Sequence, residues 1–329
     1  MVKISFGRQV TDLSCHDAEI KRGELERQGK TELSVRFWGT RGSFPAAAKD
    51  RIEYGGNTCC VSVAAMQEMV ILDAGTGLAE LGKWIKSEDE RQKLQKGTPI
   101  YLFLGHLHID HVVGLFQFLP FFDFGRKIVI FGEEKEGKAV EERIGDLICP
   151  PLWPVPITDF PADIQFQTVR CGERYRISKD GYIQVNPESG ETYEDHPDTA
   201  SLEIDFIHGN HPNGSLLSRI RTGRTSVFYG LDCEMDEPTL ERLAPFCTGC
   251  DLLICDAQYL PEQLKEKKGW GHSSWKEAIE LCRRSKSAKV ICSHYEWGID
   301  DEELHRQEAF AGQEDIRCSF ARESQEIRL

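Results

Sequence analysis

Four side chains able to bind a metal ion lie within one short stretch directly after an apolar run. The stretch GHLHIDH places His106, His108, Asp110 and His111 behind IYLFL. Because alternate residues of an extended segment point to the same side, His106 and His108 can converge on one ion. The turn that follows presents Asp110 and His111 to a neighbouring position. The spacing therefore predicts a site for two adjacent cations.

The ligand types narrow the chemistry of this site. Imidazole and carboxylate groups suit zinc, manganese or iron, and the absence of cysteine from the stretch argues against a closed structural zinc site. Coordination positions left open are available to water. We therefore predict a hydrolase with two divalent metal ions, zinc as the first choice and manganese or iron as alternatives.

The His-x-His-x-Asp-His run resembles the signature of the metallo-β-lactamase superfamily, and the resemblance extends from Phe37 to His294. It implies a four-layer αββα sandwich. It also implies that His211 is the third ligand of the first ion, that Asp232 bridges both ions, and that His294 completes the second site. Asp73, in VILDAGTG, matches a buried aspartate that supports the site. The implied metal ligands are His106, His108, Asp110, His111, His211, Asp232 and His294.

Two further segments indicate a branch of the superfamily. FWGTRGSFP, followed by YGGNTCCVSV, resembles the opening of ribonuclease Z-like and phosphodiesterase-like members. His272, in GWGHSSWKEAIELC, resembles the additional histidine of those enzymes. Ser273 or Ser274 is expected to cap the following helix, whose N-terminus favours an anion. The predicted catalytic residues are Asp110, which steers the nucleophile as well as binding metal, and His272, which binds a phosphate oxygen or protonates the leaving group.

The favoured function is hydrolysis of a small phosphodiester, such as a cyclic nucleotide, by a hydroxide shared between the two ions. A formal net charge of −14 and an acidic region at 150–200, without a basic glycine-proline-rich arm, disfavour nucleic acid as a partner without excluding it. Three alternatives stay open: a thioesterase or lactamase, a ribonuclease Z-like nuclease, and a binding module that keeps metal without turnover. A homodimer that completes the cleft is also left open.

Strands and helices are needed to bring these residues together. From Leu33, short apolar runs such as MVILDAG, SVFYGLD, DLLICDA and KVICSH predict strands, and LAELGKWIKS, VVGLFQFLPFF and SSWKEAIELCRRS predict helices. The strands form two groups, each followed by helices. This order predicts one hydrolase domain over 33–329 behind an N-terminal extension over 1–32.

Composition agrees with a globular chain, at 40% hydrophobic and 29% charged residues. No apolar run reaches the roughly 20 residues of a membrane span, and the first residues lack a secretory apolar segment, so the expected location is the cytoplasm. The twelve cysteines are expected to be reduced, and the Cys247/Cys250 pair has no predicted function. His208 competes with His211 for the ligand role, and the family spacing favours His211. Trp153 and Trp297 are candidates for lining a cleft.

Overall fold

The computed structural model describes residues 33–66, 68–91, 98–185, 201–223 and 225–329. The predicted extension over 1–32 lies outside the described residues. The strands are β1 (Ser34–Gly39), β2 (Arg41–Gly42), β3 (Cys60–Ala65), β4 (Glu68–Leu72), β5 (Ile100–Phe103), β6 (Lys127–Glu133), β7 (Asp163–Val169), β8 (Arg174–Ser178), β9 (Gly181–Val185), β10 (Leu202–His208), β11 (Leu216–Thr222), β12 (Thr225–Gly230), β13 (Leu252–Asp256), β14 (Val290–Ser293), β15 (Tyr295–Glu296), β16 (Cys318–Phe320) and β17 (Glu326–Arg328). The α-helices are α1 (Gly77–Glu90), α2 (Val140–Leu147), α3 (Glu237–Phe246), α4 (Trp275–Ser285) and α5 (Asp301–Glu314).

Two large sheets and one small sheet organise the described chain. The first large sheet has the order β17-β1-β3-β4-β5-β6-β7, and the second has the order β16-β14-β13-β12-β11-β10-β8-β9. In each, four neighbouring strands run parallel: β4 to β7 in the first, and β12, β13, β14 and β16 in the second. The small sheet pairs β2 with β15.

Three apolar cores define the layers. The central core lies between the large sheets and includes Phe103, Phe206 and Tyr229. A second core packs α3, α4 and α5 against the outer face of the second sheet, and a third packs α1 and α2 against the first. The predicted four-layer αββα sandwich is confirmed.

The prediction of one helix over VVGLFQFLPFF is wrong about the type of helix. The segment forms two short 3₁₀ helices, Val113–Gln117 and Leu119–Phe122. Phe118 between them is extended, and Pro120 has no amide hydrogen for a continued α-helical ladder. Both short helices pack on α1, so the segment still belongs to the outer layer.

The parallel strands explain where chemistry can concentrate. Asp73 follows β4, His106 comes three residues after β5, and His294 follows β14 directly. Because the carboxyl ends of neighbouring parallel strands meet at one edge, the loops behind them meet as well. Among the described residues, no helix combines the length and the apolar character that a membrane crossing requires.

Candidate metal centre

The first group of converging side chains is His106, His108, His211 and Asp232, whose candidate ligand atoms lie within 4.8 Å of one another. His211 Nε2 is 3.1 Å from His108 Nδ1, and His106 Nε2 is 3.6 Å from Asp232 Oδ1. Nitrogen and oxygen atoms at this spacing form a candidate ligand set for a cation.

Asp110, His111 and His294 form the second group. Nε2 of His111 is 3.2 Å from Nε2 of His294 and 3.3 Å from Asp110 Oδ2. Asp232 reaches this group with its other oxygen, because Oδ2 is 2.9 Å from His111 Nε2 and 3.1 Å from His294 Nε2. One carboxylate therefore faces both groups, one oxygen to each.

Atoms without partners show that the groups fit metal ions. Among the described residues, His106 Nε2 is buried and has no hydrogen-bond partner, and Asp232 Oδ2 is buried with two ligand nitrogens nearby but no contact of hydrogen-bond geometry. A buried polar atom left in this way is costly unless a ligand satisfies it. The nitrogen and carboxylate donors suit divalent cations of the zinc, manganese or iron type.

Supporting contacts orient the ligand rings. The N–H at Nδ1 of His211 donates to the Gly271 carbonyl oxygen at 2.9 Å, which leaves Nε2 with its lone pair. Asp73 accepts from His111 Nδ1 at 2.9 Å, from the Gly105 amide at 2.8 Å and from the Tyr229 hydroxyl at 2.8 Å. Such hydrogen bonds fix the orientation of the imidazole ring that would bind the metal.

The electrostatics differ between the two groups. Burial lowers the pKa of His106 well below its usual value, which keeps that imidazole neutral and ready to coordinate. Burial also acts to lower the pKa of His111, but Asp232, Asp110 and Asp73 outweigh it and hold that pKa well above its usual value. The same balance, led by Asp232, raises the pKa of His294 to about 9. The metal-free second group therefore holds protons that a metal must displace.

The opening segment FWGTRGSFP lies against this second group. The Ser43 amide donates to Asp110 Oδ2 at 2.7 Å, and the Thr58 hydroxyl donates to the Asp110 carbonyl oxygen at 2.7 Å. Gly42 lies so close to the His294 ring that a Cβ there would collide with it. The glycine is needed for this close approach.

His272 lies beside the centre and is held by Asp256, a residue that our sequence analysis did not single out. The N–H at His272 Nδ1 donates to Asp256 Oδ2 at 2.8 Å. The same carboxylate accepts from the amides of Asp232 at 3.0 Å and Ser273 at 3.1 Å. The available signal was that DLLICDA ends a buried strand with aspartate, as VILDAG does at Asp73.

The sequence predicted that Ser273 or Ser274 caps α4, and Ser274 is the residue that does so. Its hydroxyl accepts from the Lys276 amide, and Glu277 returns to the Ser274 amide at 3.1 Å. This capping box supplies a carboxylate to the helix N-terminus, and the anion site expected there stays a prediction. Ser273 instead donates its hydroxyl proton to the Cys233 carbonyl oxygen.

The remaining candidates lie elsewhere or play other parts. His208 pairs with Glu133 at 2.7 Å and is in none of the groups. Cys247 and Cys250 are buried in the core under α3. Trp153 packs on Phe116, whereas Trp297 is half exposed after β15.

The comparisons with known proteins agree with this geometry. The family described as beta-lactamase superfamily domain matches residues 68–295. The chain belongs to this superfamily. The chain is also similar to curated proteins named ribonuclease Z. One of these, from Haloarcula marismortui, is 23% identical over 85% of this chain and 93% of its own length.

Solved structures show the same superfamily fold. The metallo-beta-lactamase fold protein YhfI from Bacillus subtilis has a TM-score of 0.61 at 17% identity, covering 91% of this chain and 100% of its own. The short form of human tRNase Z has a TM-score of 0.53 at 16% identity, covering 89% and 98%. With the His/Asp groups in place, the chain is a metal-dependent hydrolase of the superfamily.

Proposed function

We propose that this hydrolase cleaves phosphodiesters with two divalent ions, zinc being the first choice. The observation that carries the proposal is the pairing of His272 with Asp256 beside the two ligand groups. We further propose that residues 33–329 form one hydrolase domain, since β1 pairs with β17 near the other end of this range.

Each predicted ligand has a place in this proposal. The proposed ligands are His106, His108 and His211 for one ion, Asp110, His111 and His294 for the other, and Asp232 for both. Bound cations lower the pKa of coordinated water and neutralise charge on phosphate oxygens. Asp110, fixed by the Ser43 amide, would also orient the attacking water.

His272 supplies the proton for the leaving group. Its ring centroid is 5.1 Å from that of His294 and 5.0 Å from that of His211, so it lies next to both ligand groups. Because Nδ1 is bound to Asp256, Nε2 is the nitrogen that can transfer a proton. The carboxylate behind the ring also holds the imidazole in this tautomer and orientation. A thioester releases a thiolate, which departs without a proton, so a dedicated acid favours phosphodiesters over the thioesterase alternative.

The substrate is proposed to be a small phosphodiester, for example a cyclic nucleotide. The arginines on the outer face of the second sheet support this, because each is paired with an acidic neighbour and offers no free positive charge to a long phosphate backbone. The pairs are Arg174, Arg219 and Arg221 with Asp205, and Arg176 and Arg221 with Glu203.

RNA is the second candidate substrate. Curated relatives named ribonuclease Z cover most of the chain, and this makes the expectation against nucleic acid doubtful. The part of the acidic region over 186–200 lies outside the described residues. The same metal groups and the same acid would serve both substrates, so only substrate tests separate them.

The test is a substrate panel on metal-loaded protein: bis-p-nitrophenyl phosphate, 3′,5′-cyclic AMP, a transfer-RNA transcript, a thioester and a β-lactam. We expect turnover of the phosphodiesters and loss of it in Asp110→Ala. In His272→Ala we expect a fall of about 100-fold or more for cyclic AMP and the transcript, whose leaving groups need a proton, and a smaller fall for bis-p-nitrophenyl phosphate. His208→Ala is the matched control, because that histidine lies outside the centre, and it should keep full activity. Turnover of only the thioester or lactam, unchanged in His272→Ala, would refute the proposal.

A further inference from the structure

Two large aromatic side chains are exposed in segments that adjoin residues of the metal centre. Phe44 is 61% exposed and Trp297 is 50% exposed, and their ring centroids are 6.4 Å apart at an interplanar angle of 74°. Burying such rings is strongly favourable, so a pair left open beside a reactive centre is a candidate binding surface. We call Phe44 and Trp297 the aromatic pair.

The small sheet fixes the aromatic pair in place. β2 ends at Gly42 and β15 ends at Glu296, and these two residues are partners in a parallel pairing. The carboxyl ends of the two strands therefore lie side by side. Trp297 follows one end directly, and Phe44 follows the other after a single residue. The two aromatic residues consequently follow paired strands closely and do not belong to a long loop.

The same strands tie the aromatic pair to the reacting groups. Ser43, the neighbour of Phe44, donates its amide to Asp110 Oδ2 at 2.7 Å. The Cα of Phe44 is only about 3.8 Å from that of Ser43. On the other strand, His294 precedes Trp297 by three residues. Both residues therefore lie in the chain segments that contact Asp110 and carry His294.

We infer that the aromatic pair binds a nucleobase of the substrate, held next to the scissile phosphate. This inference rests on the proposed phosphodiesterase function and names its substrate class. A nucleobase can stack on one ring and meet the edge of the other, because the two planes are nearly perpendicular. Such stacking tolerates different bases, so the pair selects nucleotides over phosphodiesters without a planar ring.

A binding experiment isolates the aromatic pair from catalysis. Metal-loaded protein is titrated in a calorimeter with adenosine 5′-monophosphate and with ribose 5-phosphate, which has no base. We expect the nucleotide to bind about tenfold more tightly. In the double variant Phe44→Ala, Trp297→Ala this ratio falls to about one, while the affinity for ribose 5-phosphate is unchanged. An equal affinity for both ligands in the natural protein, or an unchanged ratio in the double variant, overturns the inference.

Phe124→Ala is the matched control. Phe124 is 96% exposed but follows Asp123, which pairs with Lys86 on α1 in the outer layer. Its removal tests whether any exposed ring affects nucleotide binding. The ratio must stay near tenfold in this variant, and a loss equal to that of the double variant would contradict a local role of the aromatic pair.

Turnover separates this inference from the proposed function. With 3′,5′-cyclic AMP as substrate, the double variant is expected to raise KM about tenfold and to leave kcat within about twofold, since the rings touch the base and not the phosphorus. If no phosphodiester is cleaved by the natural protein, the proposed function fails, and the nucleotide-to-ribose-phosphate ratio still decides the role of the pair. If cleavage occurs with KM unchanged in the double variant, the inference alone fails.

Discussion

Replacing Gly42 by alanine is expected to disable one metal site and spare the fold. A Cβ at this position would lie 2.7 Å from Gln258 Oε1 and closer still to the imidazole of His294. The φ angle of Gly42 lies outside the left-handed region, so alanine meets no backbone penalty there. The substitution therefore acts on the neighbouring side chains.

The size of the effect follows from the contact distances. Non-bonded carbon atoms rest about 3.5–4.0 Å apart, so the His294 ring must retreat by roughly 1 Å. Metal–ligand distances hold within about 0.2 Å, and a shift of this size removes Nε2 from coordination range. We expect the ion between Asp110, His111 and His294 to bind about 10- to 100-fold more weakly. We expect kcat/KM to fall about 100-fold.

Metal content and turnover measure both effects. After dialysis against metal-free buffer, mass spectrometry should find two ions in the natural protein and one in Gly42→Ala. Gly298→Ala is the control, because Gly298 follows Trp297 and a Cβ there meets nothing within 4 Å. Two retained ions with unchanged hydrolysis of bis-p-nitrophenyl phosphate in Gly42→Ala would refute the placement of His294 as a ligand.

Three other perturbations address the supporting groups. Asp256→Asn should keep both ions but lower kcat about 100-fold for alkyl leaving groups and much less for p-nitrophenolate, which departs without a proton; equal losses would argue against His272 as the acid. Asp73→Asn should weaken binding of the ion next to His111 by about 10- to 100-fold in a chelator competition, and an unchanged affinity would contradict its supporting role. Because the pKa of His294 is about 9 and that of His111 is also raised, metal binding should release protons and weaken as pH falls from 8 to 6. Calorimetry in two buffers of different ionisation enthalpy counts these protons, and a count of zero would exclude the displacement.

The ends of buried strands were the most predictable part of this protein. Apolar runs such as IYLFL specify strands that are buried on both faces, and the polar residue after each run must lie at the sheet edge. This reasoning alone brings His106 and His108 together. The positions of His211, Asp232 and His294 came from family spacing, since nothing in their local sequence tells which distant loops meet.

Other features depended on contacts that a linear pattern does not contain. Asp256 was missed because an aspartate after an apolar run looks the same whether it caps a turn or holds a histidine. The 3₁₀ geometry after Val112 arises where Gly114 approaches the backbone of Ala74 and Gly75, a contact between distant segments. The strands β2 and β15 have only two residues each, too few for any alternating pattern, yet they position the aromatic pair.

Three residues of the metal centre have an unfavourable backbone conformation. Asp73, Asp232 and His294 all have positive φ, at 60°, 55° and 67°, and each comes within two residues of the end of a parallel strand. This conformation costs about 1–2 kcal/mol for a residue with a Cβ. A positive φ reverses the chain at the sheet edge and turns the side chain toward the centre, whereas a residue with an extended backbone would continue along the strand.

The centre contains four buried carboxylates, which belong to Asp73, Asp110, Asp232 and Asp256. Buried carboxylates need compensating positive charge. Protons on His111 and His294 supply two positive charges, whereas two divalent ions supply four. Ion binding should therefore relieve the repulsion between the carboxylates. We expect the melting temperature to rise in proportion to the logarithm of the free metal concentration.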